Sequence, residues 1–313
     1  MLRLIEKVLA EYEVGLQPDQ QTAEWWAGAP SVVRAPDGAF YMAARMRDAD
    51  SPMGKRGYEI RILKSPDGVH FAPVAHITRK DAGVPGFQRP ALLRDPQSGL
   101  YRLYCCAWLE QGWSILRFDD AHSPEQFDAS TARPVLQADW EDDGTIQVNG
   151  YKDPVILWTQ GRWHMFAIGL DRVERIHHFV SDCGERWLQE GPAPVFENTG
   201  WHNMFTRPAS VLPMSAGYLF VYEGSQLGWF DPNYNICTGL AYTPDLYSFY
   251  DLTPNAPLLT STTPGHFHNT WRYSHWMRVG DEIFVYFEAA CANRTNEIRL
   301  GRIPATDALI LAE

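Results

Sequence analysis

The chain has 313 residues, of which 45% are hydrophobic, 13% aromatic and 21% charged, a globular composition rather than a disordered one. Its net charge of -11 excludes general nucleic-acid binding, which needs a basic footprint, and no apolar run approaches the roughly 20 residues of a membrane helix. Five cysteines, an odd count with neither CxxC nor a Cys/His zinc spacing, fit neither a secreted disulfide framework nor a structural zinc site.

The N-terminus carries charges at Arg3, Glu6 and Lys7, where a signal peptide needs an uninterrupted apolar stretch. The expected location is therefore cytoplasmic. Residues 3–13 read as either a strand or a short helix. The segment up to about residue 24 is expected to supply a strand that closes the fold.

From there a weak repeat runs along the chain. Each copy opens on a small or charged residue, usually followed by proline, then an apolar run, a Gly-containing turn and an aromatic-rich strand. The copies open at Ala29-Pro30, Arg89-Pro90, Asp153-Pro154, Arg207-Pro208 and Arg272-Tyr273, and their turn glycines are Gly38, Gly99, Gly161, Gly217 and Gly280. Counting from position 30, the steps to 90, 154, 208 and 273 are 60, 64, 54 and 65 residues. A third strand follows in each copy, at Tyr58–Leu63, Trp113–Phe118, Arg175–Val180, Tyr234–Tyr242 and Glu297–Ile303. Short β-branched and aromatic runs cut by Gly, Pro and Asp turns are antiparallel strands. Three or four strands in each of five copies predict an all-β fold: one five-bladed β-propeller domain over residues 1–313, around a central funnel. A β-sandwich is the alternative, but it does not explain five copies of one strand–turn–strand unit.

In a propeller the first strand of each blade lines the axis, so its opening residue sits at one mouth of the funnel. The second strand runs back to the same mouth. Ala29, Arg89, Asp153, Arg207 and Arg272 are thereby gathered with strand-two ends near Arg45, Trp108, Asp171, Glu223 and Glu288. Charges at positions that a pleated strand could fill with apolar residues are costly unless paired or used.

The Asp-Pro-(apolar)₃…Gly-x-(aromatic) pattern in five copies resembles the five-bladed glycosidases, a group that includes arabinanases and β-xylosidases, invertase-like enzymes and mannoside phosphorylases. The resemblance implies a sugar-processing site in the funnel. It also implies a blade-one Asp base, a blade-three Asp that orients the sugar and tunes pKa, and a blade-four Glu acid. Tyr151-Lys152-Asp153-Pro154 matches the blade-three motif. Gly28-Ala29-Pro30 and Thr206-Arg207-Pro208 lack the base and the acid at the matching positions. Glu223, Glu288 and Glu24 are the replacement carboxylates. Glycoside hydrolysis uses two carboxyls, one raised in pKa to protonate the leaving oxygen. Asp153 and Glu223 are the expected catalytic core, with Glu288 or Glu24 as a third member.

Arg89, Arg207 and Arg272 offer forks for carboxylate, sulfate or phosphate. His202, Asn203, His268 and Asn269 precede two of them and add donors and acceptors for sugar hydroxyls. Trp25, Trp26, Trp108 and Trp271, drawn from 12 tryptophans, are the expected stacking platforms. A carbohydrate partner follows, with a uronic acid or other anionic sugar suggested by the arginines. No catalytic metal or cofactor is expected; the resemblance allows a structural calcium on the axis near His275 and His268. Glycoside hydrolysis leads. Phosphorolysis, non-catalytic sugar binding and uronate elimination are the alternatives.

Overall fold

The computed structural model describes residues 5, 6, 8–140, 146–261, 263 and 268–305. Ile5, Glu6 and Val8 are helical and precede strand β1 (Glu13–Leu16), so the N-terminal segment has both characters. Residues 3, 4 and 7 lie outside the described residues.

Five antiparallel meanders follow. The first is β2 (Trp26–Arg34), β3 (Phe40–Arg47), β4 (Gly57–Ser65) and β5 (Ala72–Thr78). The second is β6 (Ala91–Arg94), β7 (Tyr101–Leu109), β8 (Gly112–Arg117) and β9 (Arg133–Leu136). A short ribbon, β10 (Asp139–Trp140) with β11 (Ile146–Val148), stands apart. The third meander is β12 (Tyr151–Thr159), β13 (Arg162–Asp171), β14 (Val173–Ser181) and β15 (Leu188–Gln189). The fourth is β16 (Phe205–Pro213), β17 (Tyr218–Ser225), β18 (Cys237–Thr243) and β19 (Tyr250–Asp251). The fifth is β20 (Trp271–Val279), β21 (Glu282–Ala290) and β22 (Asn296–Pro304), completed by β1, which pairs antiparallel with β22. One parallel pair, Trp26 with Asn296, joins the fifth meander to the first.

The hairpin between the first two strands of each meander turns at its glycine. Gly38, Gly99, Gly161, Gly217 and Gly280 all have φ between 61° and 92°, a region open to glycine at no steric cost. Packing between meanders is cyclic. Tyr41, Ile60 and Ile62 meet Leu103 and Cys105, and Tyr104 and Ile115 meet Ile156, Trp163 and Met165. Phe166 and Ile176 meet Phe220 and Tyr222; Leu219 and Val221 meet Val285 and Phe287. Phe284, Tyr286 and Ile298 return to Phe40 and Met42. Each fully buried aliphatic or phenyl group contributes roughly 1.5–3 kcal/mol, so the alternating strand pattern itself drives this closure.

First strands share an axial cavity of about 60 Å³, lined by Ser31, Ala91, Val155, Ser210 and His275 among others. At the start of most first strands the ladder slips: two residues oppose one between Gly28 and Ser31, Lys152 and Val155, and Arg272 and His275. A slip also falls between Pro208 and Ser210. These bulges bend the strand and re-aim its side chains.

Register corrects two expectations. Tyr273-Ser274, not Arg272-Tyr273, is the structural counterpart of Asp153-Pro154 and Ala29-Pro30. Ala29, Asp153 and Tyr273 share φ values of 51°, 55° and 51°. The strand-two residues that face these openings are Arg45, Ile168, Glu223 and Glu288, with Cys106 in the second meander. Trp108 and Asp171 lie two or three residues further along their strands. Trp108 is exposed and packs edge-on against Trp113, while Asp171 pairs with Arg175 in its own hairpin.

Candidate active site

The bulges bring side chains from distant copies onto one residue, Tyr273. Its hydroxyl donates to Asp153 Oδ2 at 3.0 Å, and its backbone N–H donates to Glu223 Oε1. Asp153 and Glu223, 70 positions apart in the chain, therefore share a partner supplied by a third meander. Around the Tyr273 ring stand the guanidiniums of Arg272, Arg45 and Arg89, at 5.0, 5.3 and 5.7 Å from its centroid.

Asp153 is buried and held on its other side by Cys106. The thiol donates to Asp153 Oδ1 at 3.4 Å, and the Asp153 N–H donates back to the sulfur at 3.2 Å. Glu223 is fully buried, and among the described residues its Oε2 has no hydrogen-bond partner. Burial pushes its pKa up to about 7, against the pull of Arg89 and Arg207. With the Tyr273 N–H on Oε1, the proton belongs on Oε2, where no group among the described residues competes for it.

Glu288 has the opposite environment. Arg272 donates to its Oε1 from Nε and Nη2 at 3.1 and 2.8 Å, and Asn296 at 2.6 Å. Oε2 accepts from the Ala29 N–H at 3.0 Å and from Arg45 at 3.3 Å. Burial would raise its pKa, but Arg272 and Arg45 outweigh it and hold Glu288 below the usual carboxylate range. Five donors occupy this carboxylate, so it holds charge and geometry rather than a mobile proton. Glu24 stands apart from Tyr273, paired with Arg56 at 2.5 Å and Arg47 at 3.7 Å.

The arginines differ in their commitments. Arg207 is paired with Glu174, a carboxylate that also takes Lys152 at 2.5 Å. Burial would raise Glu174, but Arg207 and Lys152 bring it down to about 2. Arg272 is paired with Glu288. Arg89 donates to the backbone carbonyls of Pro208, at 2.7 Å, and Ala209; among the described residues it has no carboxylate in ion-pair contact.

The remaining expected site residues serve loops or the core. His202 lies 3.4 Å from Asp251, and the Thr199 N–H donates to it. Asn203 accepts from the Leu227 N–H, and Asn269 from the Ser261 N–H. His268 lies 3.4 Å from Asp231 and beside Tyr234. Trp271 is corrected from stacking platform to core: it is fully buried and stacked on Phe287 at 4.1 Å. Trp26 is also buried, beneath Arg47 at 3.6 Å and Arg272 at 5.0 Å. Trp25 sits half-buried near Tyr58.

The axis does not suit calcium. His275 shares the cavity with Arg89, and burial together with that positive charge lowers its pKa to about 4. Calcium takes six to eight oxygen ligands, and an imidazole beside a guanidinium is the wrong donor set. Among the described residues no three His, Cys, Asp or Glu side chains gather as a metal cluster.

Sequence patterning did not single out Tyr273, Cys106 or Glu174. Tyr273 left one visible trace, standing where the other four copies of the repeat carry proline. Glu174 left none, since only register places the start of a third strand beside Arg207.

No family model and no curated protein matches the sequence. Solved structures do match. A glycoside hydrolase is similar with a TM-score of 0.70 and 15% identity, over 96% of this chain and 93% of that one. A glycosyl hydrolase from Bacteroides ovatus has a TM-score of 0.68 and 14% identity, covering 93% of each chain. The chain has the fold of the propeller glycosidases. A β-1,2-mannobiose phosphorylase from Listeria innocua is also similar, with a TM-score of 0.62 and 12% identity over 93% of each chain. At such identities the likeness is one of fold, and chemistry must come from the side chains.

Proposed function

We propose that the protein is a glycoside hydrolase, that its five meanders are the blades of one five-bladed β-propeller domain, and that the pit around Tyr273 is its active site. The cyclic core and the cavity shared by the first strands support the ring. One observation carries the chemistry: Glu223 has a buried Oε2 without a partner among the described residues and a pKa of about 7, next to a second carboxyl, Asp153, tied to the same tyrosine. Glu223 is the general acid that protonates the leaving oxygen, and Asp153 is the base. Glu288 fixes Arg45 and Arg272.

Charge supports an anionic sugar, such as a uronic acid. With Glu223 protonated, the guanidiniums of Arg45, Arg89, Arg207 and Arg272 face three carboxylates, Asp153, Glu174 and Glu288. Arg89, without a carboxylate partner, is the fork left to a substrate carboxylate. The same surplus would suit inorganic phosphate, which makes phosphorolysis the second candidate.

A panel of chromogenic glycosides and glycuronides, with and without phosphate, tests this. Release from a glycuronide at a rate indifferent to phosphate is expected. Glu223→Gln and Asp153→Asn should each lower kcat by about 10²–10⁴-fold. The wild-type rate should fall as pH rises through about 7, where the acid loses its proton. Full turnover in both variants removes the assignment; strict phosphate dependence selects phosphorolysis; sugar binding without product leaves a binding module.

A further inference from the structure

We propose that Tyr273 is the catalytic nucleophile, with Asp153 as the base that takes its proton, and that the enzyme retains anomeric configuration through a glycosyl-tyrosine intermediate. This rests on the hydrolase assignment above and deepens it.

A hydroxyl within hydrogen-bond reach of a carboxylate, which is itself oriented by a third group, is the arrangement of an activated nucleophile. Here the hydroxyl is Tyr273 Oη, the carboxylate is Asp153 at 3.0 Å, and the orienting group is the Cys106 thiol. The guanidiniums of Arg272, Arg45 and Arg89 ring the phenol at 5.0–5.7 Å and would stabilise charge developing on its oxygen. The backbone adds a separate indication. Tyr273 has φ of 51°, a strained value for a bulky aromatic, and in its counterparts that position holds Ala29 and Asp153. The fold therefore has no requirement for a tyrosine there, and strain of this kind persists where surrounding structure enforces it. Access agrees: Tyr273 keeps 5% of its surface open, against 1% for Asp153 and 0% for Glu223. For an anionic sugar a neutral phenol is also the better attacking group, since a carboxylate nucleophile would repel the substrate.

Burial and Asp153 raise the phenol's pKa despite Arg272 and Arg45, so Tyr273 is protonated at rest and needs its base. In the first step Tyr273 Oη bonds to the anomeric carbon as the bond to the leaving oxygen breaks. Asp153 receives the phenol proton, and Glu223 gives its proton to the leaving group. In the second step water attacks the anomeric carbon and the bond to Tyr273 breaks. Glu223, now a carboxylate, takes the water's proton, and Asp153 returns its own to the phenolate.

The test uses the full chain, the glycoside that the panel identifies, and the 2-deoxy-2-fluoro glycosyl fluoride of the same sugar. Proton NMR of the first product should show retained configuration. Peptide mass mapping after the fluoride should place the added sugar on Tyr273. Tyr273→Phe keeps the ring and the N–H to Glu223, and should cut turnover by about 10³-fold or more while leaving the melting midpoint near wild type. Asp153→Asn should slow labelling without moving it off Tyr273. Inverted product, a label on Asp153 or Glu223, or a Tyr273→Phe variant with wild-type turnover overturns the proposal and leaves Asp153 acting on water or sugar directly. Failure of the wild type to turn over any member of the panel instead refutes the hydrolase assignment itself.

Discussion

Glu223 trades stability for a proton near neutrality. Its pKa rises from 4.5 in the unfolded chain to about 7 in the fold, first because it is buried. Below about pH 4.5 both states hold the proton and the group is neutral in the balance. Between about 4.5 and 7 the native state holds a proton that the unfolded state has released, so stability falls as pH rises. Above about 7 the loss is complete, at ~3 kcal/mol from a shift of this size. Glu223→Gln keeps the shape and the acceptor for the Tyr273 N–H but cannot ionise. Its melting midpoint should exceed that of the wild type at pH 8, and the difference should shrink to nothing by pH 4.5. A variant equally or less stable at pH 8 would show that Glu223 is charged and satisfied in the pit.

At the level of strands, Glu288 shows why a charged ring can be mostly scaffolding. It lies opposite Arg272 on the neighbouring strand and also reaches Arg45 and the Ala29 N–H in the first meander, so it ties the fifth meander to the first. β2 can approach this closely because Gly28 has no side chain: a Cβ there would sit 1.8 Å from Glu288 Oε2. Gly28→Ala should displace the carboxylate, and Glu288→Ala should leave two buried guanidiniums without their partner. The second should cost about 3–5 kcal/mol, read by denaturant unfolding; a loss below ~1 kcal/mol would mean that water replaces the carboxylate. The sequence was informative about these elements where periodicity and turn glycines speak, as at Gly38 to Gly280, and about Asp153, whose motif is local. It was silent where a bulge decides. One extra residue in the ladder moves Tyr273 into the place of Asp153, and nothing in a string of letters announces a slip in pairing. In the second meander, too, pairing rather than sequence decides: the Gln88 N–H bonds to the Cys106 carbonyl, so Cys106 rather than Trp108 is the facing residue. Partners such as Glu174 with Arg207 were hidden because they depend on which meanders are neighbours.

For the whole molecule the decisive joint is the one between the two chain ends. Every other meander is four strands taken in sequence, whereas the fifth borrows β1, pairing Glu13 with Leu300 and Val14 with Arg299. Ile5 and Leu9 insert into the core between the fourth and fifth meanders, and Arg302 pairs with Glu13. Without this segment the Trp26–Asn296 pair, the Phe40–Phe284 side of the core and the Glu288 contacts to Ala29 and Arg45 would hold the fifth meander to the first. Loss of two buried aliphatic side chains alone removes roughly 3–6 kcal/mol, before any strand pairing. A chain lacking residues 1–16 should therefore melt on the order of 10 °C lower, and Ile5→Ala with Leu9→Ala should account for much of the drop. The proposed site draws Arg45, Cys106, Asp153, Glu223 and Tyr273 from all five meanders, so turnover of the truncated chain should fade at a temperature where the intact protein is still fully active. An unchanged midpoint would mean that the first and fifth meanders hold together without β1, and that β1 is an ornament on the rim.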